Sequence, residues 1–244
     1  MDVEIIKKEN EIVPLWTFKD VIFAILIFLV VVFTVGIFIY MFVDVASGGI
    51  SGFNQAVFLG ILVIIQSASL FSLSWYFGVK KYKNKLSDLG LREFKIFRGI
   101  GYSLIILPAL FAFEIFYSFF VTHLFQARMP EVNYVDLFGG ETLGIVLTAL
   151  LVVIVAPVAE EVFFRGFLYP AFKKRFGKWL GVLISALIFG LFHINIWLII
   201  PISLIGLINI LLYERTKSLD SCIILHSMNN LMAVLVLFWE VLWH

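Results

Sequence analysis

Seven stretches of this chain are nearly unbroken runs of Leu, Ile, Val, Phe and Ala, and the charged residues fall between them. The runs cover residues 21–45, 53–78, 99–124, 142–156, 179–193, 196–213 and 222–243. A helix that crosses a bilayer needs about 20 such residues, so the pattern predicts membrane-spanning helices. The fourth run is short and is expected to continue through Pro157 into the segment around Glu160. That proline lacks an amide donor, frees the carbonyl four residues back and predicts a kink. Only Ile194-Asn195 separates the fifth run from the sixth, so six to eight spans remain open around the central reading of seven. The predicted fold is all-α, a polytopic transmembrane helical bundle forming one membrane domain over residues 1–244.

Composition strengthens that reading. The 244 residues are 62% hydrophobic and 14% charged, where a soluble domain carries about 45–50% and about 25%. The surplus exceeds what one globular core can hide, which makes the lipid bilayer the first implied partner. A net charge of +1 argues against a nucleic-acid partner, and the sequence leaves the oligomeric state open. The single cysteine, Cys222, allows no intrachain disulfide and no cysteine-based metal site, and it reads as a small apolar residue near a helix start. The first run is too long for the apolar core of a cleaved signal, which is about 7–15 residues.

Basic residues alternate between successive connections. Lys7, Lys8 and Lys19 precede the first run, and the connection at 46–52 has none. The next carries Lys80, Lys81, Lys83, Lys85, Arg92, Lys95 and Arg98, and the one after it only Arg128. Arg165, Lys173, Lys174, Arg175 and Lys178 follow the fourth run, and Arg215 and Lys217 the sixth. By the positive-inside rule the N-terminus is expected in the cytoplasm and the C-terminus outside. Within the basic connection, residues 83–97 alternate Leu and Phe with Lys, Asp and Arg, which predicts a short amphipathic helix lying in the interface.

Against this apolar background Glu160-Glu161-Val162-Phe163-Phe164-Arg165 stands out. Charges in or beside a bilayer core cost several kcal/mol unless paired or facing a polar cavity. Glu161 and Arg165 lie at i and i+4 with the acid first, the favourable order for a same-face ion pair. Glu160 is rotated by about 100°, so the same guanidinium need not saturate it, and Phe163 and Phe164 are its helical neighbours. A carboxylate in such a place suits a general base, although a helix end emerging into water would also explain the segment. His193 closes the fifth run, and His226 and Asn230 share one face of the last. A glutamate, two histidines and an asparagine among helices could activate water and stabilise an oxyanion. The same set could hold a divalent metal such as zinc through Glu160, His193 and His226. Gly49-Ile50-Ser51-Gly52 matches a serine-protease string, but no histidine is placed to serve Ser51, and a flexible turn explains it.

The three polar clusters resemble, in order, the three motifs of the CPBP intramembrane proteases, which include the type II CAAX prenyl endopeptidases and bacteriocin-immunity-type proteins. They are Glu160-Glu161-x-x-x-Arg165, Phe189-x-x-x-His193 and His226-x-x-x-Asn230. The resemblance covers roughly residues 140–235, the implied catalytic core, and extends to Leu89-Gly90-Leu91-Arg92 and Lys217-Ser218-Leu219. It implies an intramembrane endopeptidase in which Glu160 activates water with help from His193. His226 and Asn230 would bind the substrate carbonyl and stabilise the oxyanion, and Glu161 with Arg165 would be an orienting pair. Implied substrates are CAAX-type C-terminal segments, prenylated or otherwise lipidated, or other membrane peptides. The family is described both as metalloproteases and as metal-free glutamate enzymes, and no His-Glu-x-x-His string is present. Two rivals use the same residues otherwise: a membrane protein that sequesters peptides without cleaving them, and a small proton-coupled transporter. Glu114 and Asn209, polar residues in the third and sixth runs, speak for the transporter.

Overall fold

The computed structural model describes residues 14–47, 52–93, 95–125 and 142–243. Among them there are seven long helices and no strand. Helix α1 is Phe18–Ser47, α2 is Gly52–Trp75 and α3 is Ile96–Phe125. Helix α4 runs over 142–176, α5 is Lys178–Leu191, α6 is Ile199–Thr216 and α7 is Asp220–Trp243. Four described stretches are long and apolar enough to cross a membrane: Phe18–Phe38, Leu59–Lys80, Ile96–Phe125 and Ile199–Thr216. The all-α membrane architecture expected from the apolar runs is therefore present.

Helix α4 is the axis of the bundle. Every residue from Glu161 to Phe172 is buried, whereas Phe23, Phe33 and Phe38 of α1 are 58%, 59% and 70% exposed. Helix α4 is not a uniform α-helix. Wide π-helical turns at Leu151–Val155 and Val162–Leu168 flank the α-helical Ala156–Glu161. The first wide turn absorbs the proline that the sequence flagged. The Ala156 amide bonds back to the Leu151 carbonyl, and the next donor along, at position 157, is the proline that has none. The Val152 carbonyl is thereby left without a helical partner, and the Asn230 amide of α7 donates to it at 2.9 Å.

The basic end of the bundle is held by ion pairs between helix termini. Thr17 and Asp20 cap α1 reciprocally, and Asp20 also accepts from Lys81 and Tyr82, which follow the π-helical turn Tyr76–Lys80 after α2. At the start of α7, Asp220 accepts from Arg98 of α3 and from the Lys95 amide. Glu214 near the end of α6 accepts from Lys173, Lys217 and Tyr169.

The segment expected to be an interfacial amphipathic helix is something else. It holds a single 3-10 turn, Leu86–Leu89, ended by Gly90 in the left-handed region at φ 87°. Leu89 turns inward and is fully buried. The reason is close backbone contact with the core. A Cβ on Gly166 would stand 2.5 Å from the Leu89 carbonyl oxygen, and the Leu219 amide donates to the Gly90 carbonyl at 3.1 Å. The two outlying segments that carried the family resemblance are thus joined to each other. Phe94 of that segment, Lys7, Lys8, Arg128 and the Ser51 turn lie outside the described residues.

Candidate active site

The carboxylate pair sits in the α-helical stretch of α4 between the two wide turns. Such π-helical turns recur at functional sites because they re-aim side chains that a regular helix would stack. Glu161 points into the packed core. Its Oε1 accepts from Arg165 Nη1 at 2.9 Å, His226 Nδ1 at 2.8 Å and Asn209 Nδ2 at 3.3 Å. Glu161, Arg165 and Asn209 have no exposed surface, and His226 is 5% exposed. The guanidinium of Arg165 also lies 4.2 Å from the centre of the Phe189 ring and reaches the Gly206 carbonyl. A buried carboxylate is tolerable only with such company. The i, i+4 ion pair read from the sequence is present, and two further helices join it.

Glu160 faces the other way, into a cavity of about 580 Å³. Its Oε2 is buried and accepts no hydrogen bond, and the Nε2 of His226 lies 3.9 Å away. The His226 ring therefore bridges the two acids. An ionised carboxylate only accepts, so Nδ1 carries the proton donated to Glu161, and Nε2 is turned toward Glu160.

His193 also lines this cavity. Helix α5 ends at Leu191, so the residue is carried on the turn that leads into α6. Its Nδ1 lies 2.9 Å from the Phe189 carbonyl, which fixes the proton on Nδ1 and leaves Nε2 as an acceptor. The next residue, β-branched Ile194, is held at φ 52°, a conformation that such residues avoid and that clusters at functional sites. The short α5 and this turn bring His193 to the chamber that also holds Glu160 and His226.

Asn230 lines the chamber too, with one amide hydrogen committed to Val152. Its neighbour Asn229 also lines the chamber, and its buried Oδ1 has no partner. Asn209, offered by the sequence as a sign of the transporter, donates its amide to Glu161. A lone carboxamide in an apolar run was the available signal. The chamber is also lined by Gln66 and Ser67 of α2 and by Glu114, Tyr117 and Ser118 of α3. The Tyr117 hydroxyl donates to the Trp197 carbonyl at 3.0 Å and ties α3 to the turn after His193.

Among the described residues no three His, Cys, Asp or Glu side chains are grouped as a metal-holding set. Nδ1 of His226 donates to Glu161 and Nδ1 of His193 to a carbonyl, which leaves Nε2 of each ring free, as in a metal-ligating histidine. Glu160, His193 and His226, the zinc set sketched from the sequence, line one chamber without forming such a group.

The fold and the site define a class: a helical membrane protein with a paired-glutamate, two-histidine chamber enclosed by its helices. Comparison with known proteins agrees with the motifs. Residues 142–232 match the family model described as "Type II CAAX prenyl endopeptidase Rce1-like". All of Glu160, Glu161, Arg165, His193, Asn209, His226 and Asn230 fall inside that stretch. Similar proteins include the UPF0177 protein YbdI of Lactococcus lactis, 32% identical over 42% of this chain and 54% of that protein. An uncharacterized 24.3 kDa protein of Escherichia coli is 32% identical over 41% of this chain and 49% of its own. A Bacillus subtilis protein named "Putative membrane peptidase YdiL" is 31% identical over 34% of each. The chain spans about half the length of the first two and a third of the last. No solved structure matches.

Proposed function

We propose that this protein is an intramembrane endopeptidase that hydrolyses membrane-associated peptides with water activated by Glu160. The observation that carries the proposal is the unpartnered Oε2 of Glu160, buried in a chamber beside His226. Two neighbouring carboxylates have been given opposite surroundings, the arrangement by which one acid becomes structural and the other reactive. A water held between Glu160 and Nε2 of His193 loses a proton to Glu160 as its oxygen adds to the peptide carbonyl carbon. The developing oxyanion is met by Nε2–H of His226 and by the second amide hydrogen of Asn230. For that, His226 carries protons on both nitrogens, which balances two carboxylates against one guanidinium in the cluster. The peptide C–N bond then breaks, and the proton on Glu160 passes to the leaving amine. Glu161, Arg165 and Asn209 do not touch the reacting atoms. They hold the His226 ring in its orientation.

The basic, ion-paired end of the bundle is oriented toward the cytoplasm in this reading. Substrates are C-terminal CAAX-type segments or other peptides whose apolar part stays in the bilayer. The test is cleavage of a prenylated CAAX peptide and a plain membrane peptide by purified protein in liposomes, with chelator present and absent. The proposal expects Glu160-dependent cleavage of at least one peptide, one oxygen from labelled water in the new carboxylate, and no effect of chelator. Binding without cleavage would overturn it and leave a sequestering protein; loss of cleavage with chelator and its return with zinc would overturn the metal-free route.

A further inference from the structure

The chamber has a second carboxylate that the proposed chemistry does not use. Glu114 lies near the middle of α3, a helix long and apolar enough to cross a membrane, and it lines the cavity. Among the described residues it makes no ion pair and no hydrogen bond, unlike Asp20, Glu161, Glu214 and Asp220, which all have basic partners. A carboxylate left unpaired on a spanning helix is expensive and marks a place where something else supplies the partner. Its setting is built for a ligand. Tyr117 and Ser118 continue the same face of α3, and Gln66 and Ser67 face the cavity from α2.

The charge of the whole chamber points to what that partner is. None of the described residues that line it is Lys or Arg. Arg165, the nearest cation in sequence to the site, is fully buried and committed to Glu161. His226 gives its Nδ1 proton to the same acid and turns Nε2 to Glu160. The chamber is thus lined by two carboxylates, Glu160 and Glu114, and the one lining ring charged in the proposed mechanism, His226, lies between Glu160 and Glu161. A free C-terminal carboxylate reaching Glu114 would meet like charge with no Lys or Arg beside it. A Lys or Arg side chain would find Glu114 unpaired and its neighbours able to accept hydrogen bonds.

We propose that Glu114 is a specificity-determining residue that receives a basic side chain of the peptide substrate, placed to one side of the bond presented to Glu160. This rests on the endopeptidase reading for the word substrate, and on the cavity alone for the binding of a basic side chain. It favours an internal bond in a membrane peptide bearing one Lys or Arg over a segment whose own terminus lies in the chamber.

The test uses Leu/Ala-rich peptides of about 20 residues, each with one Lys moved along the sequence and each with a norleucine twin, in liposomes with the full-length protein. The expected result is a register at which the Lys peptide is cleaved roughly tenfold more efficiently than its twin. Glu114→Gln collapses that ratio to about one, and Glu114→Lys shifts preference to an Asp-bearing peptide at the same register. Equal cleavage of the twins at every register, or a ratio that survives Glu114→Gln, overturns the assignment and leaves the endopeptidase reading standing. Should no peptide be cleaved, binding of the fluorescent-labelled twins decides. A Lys preference lost in Glu114→Gln upholds the Glu114 site while the endopeptidase reading falls, and equal binding overturns both.

Discussion

Helix α1 and helix α4 are both long and both rich in apolar residues, yet they do opposite things. Three phenylalanines of α1 are more than half exposed, while α4 is buried without interruption from Glu161 to Phe172. The helix with the charges is the one enclosed, and the helix made almost wholly of hydrocarbon faces outward. In lipid the apolar surface needs no covering, so apolarity alone marks the outside of the bundle. What marks the inside is polar groups that must find each other, here Glu161, Arg165, Asn209 and His226 from three helices. The stretch that matches the family model, residues 142–232, contains all four of these residues.

The contrast can be broken most forcefully at Glu161. Glu161→Gln leaves the Arg165 charge buried without its counter-ion, and the expected loss of stability is about 3–5 kcal/mol. Pairing it with Arg165→Met should recover part of that loss, measured by unfolding in SDS–detergent mixtures. A single-variant loss below about 1 kcal/mol would mean that the cluster is not what holds α4 in place.

The packing of glycines gives a second, smaller contrast. A methyl on Gly190 of α5 would collide with the Ser203 hydroxyl and the Ile199 carbonyl of α6, while nothing lies within 4 Å of one on Gly36 of α1. Gly190→Ala is expected to cost about 1–3 kcal/mol and Gly36→Ala to stay within about 0.5 kcal/mol. Equal unfolding midpoints for the two variants would contradict the enclosed and outward assignments.

The smallest effect sharpens the reading of the π-helical turn. Asn230 satisfies the Val152 carbonyl because Pro157 cannot. Asn230→Ala should cost about 1 kcal/mol in the native background and clearly less in Pro157→Ala, where an amide donor returns. Additive losses in this double-mutant cycle would show that the two residues are uncoupled.

These contrasts also show which parts of the molecule could be read from sequence. The apolar runs became helices, and Glu161–Arg165 is an ion pair, because both are local and follow helical spacing. His226 and Asn230 share a face, but that spacing could not say that one would hold Glu161 and the other the Val152 carbonyl. Those partners lie on another helix. Asn209 was visible as an isolated carboxamide, and its partner was not, for the same reason. The wide turns at Leu151–Val155 and Val162–Leu168 were hidden because helical periodicity assumes α geometry throughout. Alternating Leu and Lys over 83–97 suggested an interfacial helix, whereas backbone contact at Gly90 and Gly166 decided the outcome.

The central claim is that adjacent acids have been separated into a structural one and a reactive one. It is tested most directly by placing Glu160→Gln and Glu161→Gln side by side and measuring both unfolding and peptide cleavage. Glu160→Gln is predicted to unfold like wild type and to lose cleavage by about 10²–10⁴-fold, while Glu161→Gln loses stability first. Cleavage by Glu160→Gln at the wild-type rate, or an unfolding loss as large as that of Glu161→Gln, would contradict it.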